Sequence, residues 1–201
     1  MTKPLIALSQ RRDATGPPHD EIRDALDARL SAFVLQSGAW PLPVPSALNA
    51  RDAAAWCGRT GVSGILLSGG ADPGADPVRD RVEAALMDHA RAHDLPLLGV
   101  CRGMQVMGTA AGAACVAVAG HVACRHAVTG EIAREVNSYH ALALGECPTG
   151  YAPLARAEDG TLEAMRHGSL PWEGWMWHPE REHEFDRADM RRFGELFGCV
   201  H

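Results

Sequence analysis

No run of about 18 apolar residues occurs in the 201-residue chain, so no segment is built to cross a bilayer as a helix. The opening string MTKPLIALSQRRD has only a short apolar run and no small-residue cleavage site after it, so no signal peptide and a cytoplasmic location are expected. A positive charge excess is missing as well: 19 Lys and Arg stand against 25 Asp and Glu, for a net charge of -6. That balance opposes non-specific nucleic-acid binding, which needs a basic surface. Lysine is nearly absent, Lys3 being the single one among the 19 basic residues. The arginines that replace it carry planar forks suited to anionic ligands. Six cysteines (Cys57, Cys101, Cys115, Cys124, Cys147 and Cys199) form no C-x-x-C pair, which in a reducing compartment argues for free thiols, five of them packing residues. Also missing are a P-loop, an internal repeat and a low-complexity tract.

What is present reads as one domain over residues 1–201, with 46% hydrophobic residues and enough length to bury a core without disulfides or metal. PLIALSQ is a short buried strand, and HDEIRDALDARLSAFVLQSG follows with Ile22, Leu26, Leu30, Phe33 and Val34 at helical spacing before Gly38. WPLPVP (strand), NARDAAAWCGRT (helix), VSGILLSGG (strand), a helix from Pro77 to about Asp94, and PLLGV (strand) continue the alternation. Strand-helix alternation predicts right-handed βαβ units in an α/β three-layer sandwich with a mostly parallel central sheet, its site at the strand carboxyl ends. After Gly112 the elements shorten: CVAVA, REVNSYH, YAPLARAE, LEAMRH and WEGWMW are candidate strands, and a helix closes the chain around Asp186 to Phe197. This second half reads as a return to the same sheet.

The string Gly99-Val100-Cys101-Arg102-Gly103 has the G-x-nucleophile-x-G form of a sharp strand-to-helix turn, in which flanking side chains have no room. Such a turn sets the Cys101 thiol at a helix N-terminus, where the dipole and free N–H groups favour thiolate. The N–H of Arg102 would then face a developing oxyanion. WMWHPERE supplies a partner: an aromatic strand ends at His178, Pro179 stops it, and Glu180 follows. A strand-end histidine can accept the thiol proton, and a nearby carboxylate can fix its tautomer. No metal is expected. HVACRH (His121, Cys124, His126) and HPEREHE (His178, His183) both lack the spacing of a structural zinc site.

The strings GILLSGGAD, GVCRGMQ, EVNSYHAL and WMWHPE, in that order between residues 64 and 180, resemble the class I glutamine amidotransferase superfamily, whose triad is Cys-His-Glu. The resemblance implies a flavodoxin-like fold and a catalytic triad of Cys101, His178 and Glu180. It also implies an oxyanion hole from the N–H groups of Gly70 and Arg102, and a glutamyl pocket lined by Gln105, Tyr139, His140 and Ala141. It implies no cofactor, and a monomer or homodimer. Arg102 after the nucleophile and the turn GGADPG depart from the amidotransferases proper and are similar to the γ-glutamyl hydrolase branch, although Ala141 stands where that branch often has a second histidine. The strings SQR, LLGVCRGMQ and MWHPERE are most similar to members whose small-molecule γ-glutamyl substrate carries a nitrogen-linked cytidine diphosphate. Two phosphates call for cations, and Arg11, Arg12 and Arg23 near the first strand, with Arg125 in the segment GHVACRHAV, are the candidates. The alternatives are hydrolysis of γ-glutamyl-γ-aminobutyrate, a glutaminase subunit that passes ammonia to a synthetase partner, and a non-catalytic binding protein.

Overall fold

A computed structural model describes residues 3–199; of the expected domain over 1–201, residues 1, 2, 200 and 201 lie outside the described residues. The strands β1 (Leu5–Leu8), β4 (Trp40–Pro43), β5 (Gly64–Leu67), β6 (Leu97–Val100) and β13 (Trp172–Trp175) pair in parallel in the order β4-β1-β5-β6-β13. Every residue of GILL and LLGV is buried, as both-face coverage of a parallel sheet demands. Beyond β13 the sheet continues in antiparallel pairing through β12 (Leu162–His167), β11 (Tyr151–Ala157), β8 (Val122–Gly130) and β9 (Arg134–Tyr139), giving nine strands. The second half does return to the same sheet.

Side-chain alternation along the central strands divides the core in two. Ile6, Leu8, Leu66, Leu98 and Val100 face one side, with Phe33 of α1 (Ala28–Gln36) and Phe193 of α5 (Arg187–Phe197). Ala7, Ile65, Leu67 and Leu97 face the other, against Cys57 of α2 (Ala50–Thr60), Leu86 of α3 (Pro77–Ala92) and Met104 and Met107 of α4 (Arg102–Ala110). Two helical layers around one sheet make the three-layer sandwich. Helix ends follow local chemistry: Asp27, Asn49, Asp76 and Asp186 each cap an N-terminus through the side chain, Pro77 takes the first turn of α3, and Gly61 and Gly198 close α2 and α5 in the left-handed region. A small β7 (Cys115–Ala117) and β10 (Leu142–Leu144) ribbon stands apart. Among the described residues no helix is long and apolar enough to cross a membrane.

Two expectations need correction. The helix expected over residues 19–38 begins only at Ala28, because β2 (Arg11–Ala14) and β3 (Ile22–Ala25) form an antiparallel hairpin outside the main sheet. The helical spacing is met by burial only from Leu30 onward; Ile22, counted in that stripe, is 58% exposed. Arg23 therefore lies on a ribbon and not early in a helix. GHVACRHAV, expected as a loop around Arg125, contains most of β8, whose register against β9 runs from Val122 opposite Tyr139 to Val128 opposite Arg134. Its mixed His, Arg and Cys composition hid it, since only Val128 on this strand is fully buried.

Candidate active site

The turn between β6 and α4 is built by close approach. A Cβ on Gly99 would lie 2.5 Å from the Gly103 carbonyl carbon and 2.6 Å from the Met104 nitrogen, and one on Gly103 would strike the Leu67 carbonyl of β5. Neither position admits a side chain without moving backbone. Between them Cys101 takes φ 50° and ψ −105°, a conformation that costs a non-glycine residue of order 1–3 kcal/mol and is held by its surroundings. Its N–H donates to the Trp175 carbonyl at 2.6 Å, and its carbonyl accepts from Gln105 N–H in the first turn of α4. The thiol thus sits, nearly buried, where strand becomes helix.

His178 follows the stacked pair Trp175 and Trp177, beyond the end of β13. Extended backbone at His178, natural before proline, passes into a single 3₁₀ turn, Pro179–Arg181, which brings Glu180 back to within 2.6 Å of His178 Nδ1. Nε2 is left on the side of the Cys101 thiol, which with Glu180 acts on the imidazole's proton affinity. Burial pulls the imidazole pKa down, but the neighbouring Cys101 thiol and the Glu180 carboxylate that accepts from Nδ1 outweigh it and lift the group to about 9. An imidazole so held can give and take a proton beside the thiol. The structure brings all three expected triad residues together.

The other expected residues divide. Gly70 has φ 148°, open to glycine alone, and a Cβ there would meet the Arg79 guanidinium. Arg102 does not reach into the site with its side chain. It is buried in ion pairs with Asp80 and Glu83, so only its backbone N–H is left to serve the oxyanion role expected of it. Glu83 also pairs with Arg79 at 2.8 Å and accepts from Ser9, while Arg79 donates to the Ser68 and Gly69 carbonyls at 2.7 and 3.1 Å. One fully buried carboxylate therefore ties the residue after Cys101 to the glycine turn opposite it. Sequence reading missed this network because its members, just past β1 and β5 and on α3 and α4, are linked only through tertiary contacts.

Gln105 uses its amide N–H to hold the Leu142 carbonyl at 2.7 Å, so it positions the segment that was expected to bind a glutamyl group. Tyr139 stands edge-on to His178, with ring centroids 5.8 Å apart, under the Arg181 guanidinium. Ala141 is exposed and its carbonyl accepts from Val118. The buried His140 ring donates through Nδ1 to the Leu142 carbonyl and turns Nε2 toward Glu163.

Of the arginines, Arg11 lines a small cleft with Ser68, Gly69, Gly70, His178 and Arg181. Arg12 pairs with Asp76, Arg23 with Glu21, and Arg125 with Glu135 and Glu182, so these three are engaged by carboxylates and do not line that cleft. Two positioning residues were not foreseen. Asn137 clamps the His178 backbone, accepting its N–H at 2.9 Å and donating to its carbonyl at 2.8 Å. Arg29 of α1 grips the carbonyls of Glu180, Glu182 and His183. The Asn in EVNSYHAL was visible but gave no sign of a partner 41 residues on.

A family model described as glutamine amidotransferase class-I matches residues 24–193. The chain is 35% identical over 152 residues to the carbamoyl phosphate synthase small chain of Desulfovibrio desulfuricans, covering 72% of this chain and 38% of that one. It is 34% identical over 137 residues to the glutamine-hydrolyzing GMP synthase subunit of Methanosarcina barkeri, covering 60% and 65%. These matches take in less than two thirds of either relative's length. It is also 28% identical over 145 residues to the γ-glutamyl-CDP-amidate hydrolase of Campylobacter jejuni, covering 69% and 72%. A solved structure from Thermoplasma acidophilum shares the fold, with a TM-score of 0.72 at 19% identity over 99% of this chain and 94% of that one. With the family model spanning most of its length, the chain belongs to the class I glutamine amidotransferase family.

Proposed function

We propose that this chain is a cysteine-dependent γ-glutamyl amide hydrolase, and that its substrate is a γ-glutamyl group joined through nitrogen to an anionic leaving group, with γ-glutamyl-CDP-amidate as the specific compound. The observation that carries the reading is a buried His178 hydrogen-bonded to Glu180 and influenced by the Cys101 thiol, beside a cleft lined by Arg11 and Arg181. The Cys101 thiolate attacks the γ-carbonyl carbon, and the oxyanion is received by the N–H groups of Gly70 and Arg102. One such donor is worth about 3–4 kcal/mol to the transition state. The C–N bond breaks as the His178 imidazolium gives its proton to the leaving nitrogen, and a γ-glutamyl thioester remains. Water then loses a proton to His178, its oxygen attacks the thioester carbon, and glutamate departs as the thiolate re-forms. Glu180 holds the imidazole in the tautomer that both steps use. No step calls on a cofactor.

Arg11 and Arg181 are suited to the phosphates of the leaving group; cytidine diphosphoramidate would be the second product. The name of the Campylobacter jejuni relative supports this substrate. The names of the Methanosarcina barkeri and Desulfovibrio desulfuricans relatives favour a second reading, in which the chain is the glutaminase part of a pair and passes ammonia to a synthetase partner.

Glutamate release by the purified chain from glutamine, γ-glutamyl-γ-aminobutyrate, γ-glutamyl peptides and γ-glutamyl-CDP-amidate, with Cys101→Ala as control, separates these readings. Release from γ-glutamyl-CDP-amidate well above the others, lost in the variant, is the expected result. Preference for γ-glutamyl-γ-aminobutyrate would replace the substrate. No release from any of the four would overturn the stand-alone hydrolase in favour of the partnered glutaminase.

A further inference from the structure

Away from the cleft, three imidazoles and a carboxylate converge: His121 and His126 from the β8 region, His140 just past β9, and Glu163 of β12. Glu163 is fully buried, and neither of its oxygens has a hydrogen-bond partner. The inward nitrogens, His121 Nδ1, His126 Nε2 and His140 Nε2, are likewise buried and unpartnered. A buried carboxylate without a donor or cation is costly.

The outer nitrogens explain how the rings are set. His121 Nε2 lies 3.0 Å from an Asp159 oxygen, His140 Nδ1 lies 3.1 Å from the Leu142 carbonyl, and His126 Nδ1 faces the Ala127 carbonyl at 3.4 Å. Each outer nitrogen meets an acceptor, which holds its proton there and leaves the inward nitrogen with a lone pair. Three lone pairs and a carboxylate then point at one another. Metal-binding histidines are oriented in the same way by carboxylates and carbonyls behind them.

We infer that His121, His126, His140 and Glu163 form a structural site for one divalent transition-metal ion, zinc in particular. Ligands about 2.0–2.1 Å from a tetrahedral ion lie about 3.3 Å from one another. Glu163 Oε1 is 3.2 Å from His121 Nδ1, 3.3 Å from His140 Nε2 and 3.7 Å from His126 Nε2. Imidazole donors suit zinc, copper, nickel and iron, and four protein ligands that close the coordination sphere mark a structural zinc site. The ion would pin β8 and the end of β9 to β12. The His140 N–H and the Ser138 hydroxyl both bond to the His121 carbonyl, so it would steady Tyr139 between them, which faces His178. The expectation of no metal rested on the spacing within HVACRH, which could not include donors from two other segments.

The test uses the full chain carrying Cys101→Ala, so that the thiol and imidazole of the cleft cannot supply a competing site. Protein dialysed against metal-free buffer is assayed for bound metal. The stripped protein is then titrated with Co²⁺, followed by visible absorption, and with Zn²⁺, followed by thermal unfolding. Expected are one tightly held ion per chain, a tetrahedral cobalt spectrum saturating at one equivalent, and a Tm raised by zinc. His126→Ala, at the least buried ligand, and Glu163→Gln, of the same shape, should each weaken binding at least tenfold. No cobalt spectrum together with no zinc-dependent rise in Tm would overturn the site, leaving the cluster as protonated histidines around Glu163. Undiminished binding in both variants would overturn it equally, by locating the metal elsewhere.

Discussion

Gly69 touches the His178 ring more closely than any substitution would allow: a Cβ there would lie 2.6 Å from Cε1. The imidazole therefore has the bare backbone of the glycine turn on one side and the edge of Tyr139 on another, and its freedom is limited to proton exchange. Its pKa of about 9 is the net result of burial, which lowers it, against Cys101 and Glu180, which raise it. Because the folded chain binds this proton more tightly than an unfolded chain with a histidine near 6.5, the stabilisation it brings is whole below about pH 6.5 and is lost as pH rises through about 9. In the proposed mechanism the same proton is given to the leaving nitrogen. kcat/KM for glutamate release should accordingly fall on an alkaline limb near pH 9, and Glu180→Gln, which removes the carboxylate charge, should move that limb to lower pH. An alkaline limb that stays in place in the variant would remove Glu180 from this role.

At the scale of elements, the site is a meeting of strand ends held by contacts from outside the parallel sheet. β6 brings Cys101, β13 leads to His178, and β5 leads to the glycine turn, but β9 and α1 decide where the His178 segment rests. Asn137 of β9 satisfies both polar groups of the His178 peptide, and an unmet buried partner costs about 1–3 kcal/mol. Asn137→Ala should therefore lower stability to urea by that order. If His178 acts as proposed, it should also lower kcat more than tenfold with a smaller change in KM, because displacing a general base harms the transition state more than binding. Asn137→Asp keeps one acceptor for the His178 N–H and should recover part of the stability but less of kcat. If Asn137→Ala left kcat unchanged while lowering stability, the clamp would be structural only.

Across the whole molecule, the β2–β3 hairpin and the 3₁₀ turn after His178 face each other over the cleft and present Arg11 and Arg181 to it. Arg11 is partly engaged by Asp13 at 3.3 Å in an exposed pair, which contributes little and can be exchanged for a ligand phosphate. Arg11→Ala and Arg181→Ala should each raise KM for γ-glutamyl-CDP-amidate severalfold or more. They should leave KM for an uncharged γ-glutamyl amide within about twofold, and added salt should narrow the difference. Equal effects on charged and uncharged substrates would mean that these arginines shape the cleft without reading phosphate. Arg12, Arg23 and Arg125, each paired with a carboxylate, serve as comparison positions where Ala should not discriminate between substrates.

The sequence by itself determined whatever is written within a few residues. Gly99 and Gly103 announce a turn around Cys101 because close backbone approach forbids side chains there. His178, Pro179 and Glu180 announce a pair because one proline-started turn is enough to bring the carboxylate back. The buried runs LIAL, GILL and LLGV, separated by helical patterns, announce the parallel half of the sheet because both of its faces must be covered. Only the tertiary structure decided what depends on distant partners. It assigned the Arg102 side chain to Glu83 and Asp80, and Asn137 to a peptide 41 residues away. It set Arg29 against a carbonyl 151 residues away, and His140 against Glu163 of β12. A polar side chain's own neighbours in sequence do not reveal its partner, since a buried charge or amide is satisfied by whichever group the fold brings opposite it. The turn at Cys101 and the His178–Glu180 pair were thus legible, and the network that positions them was not.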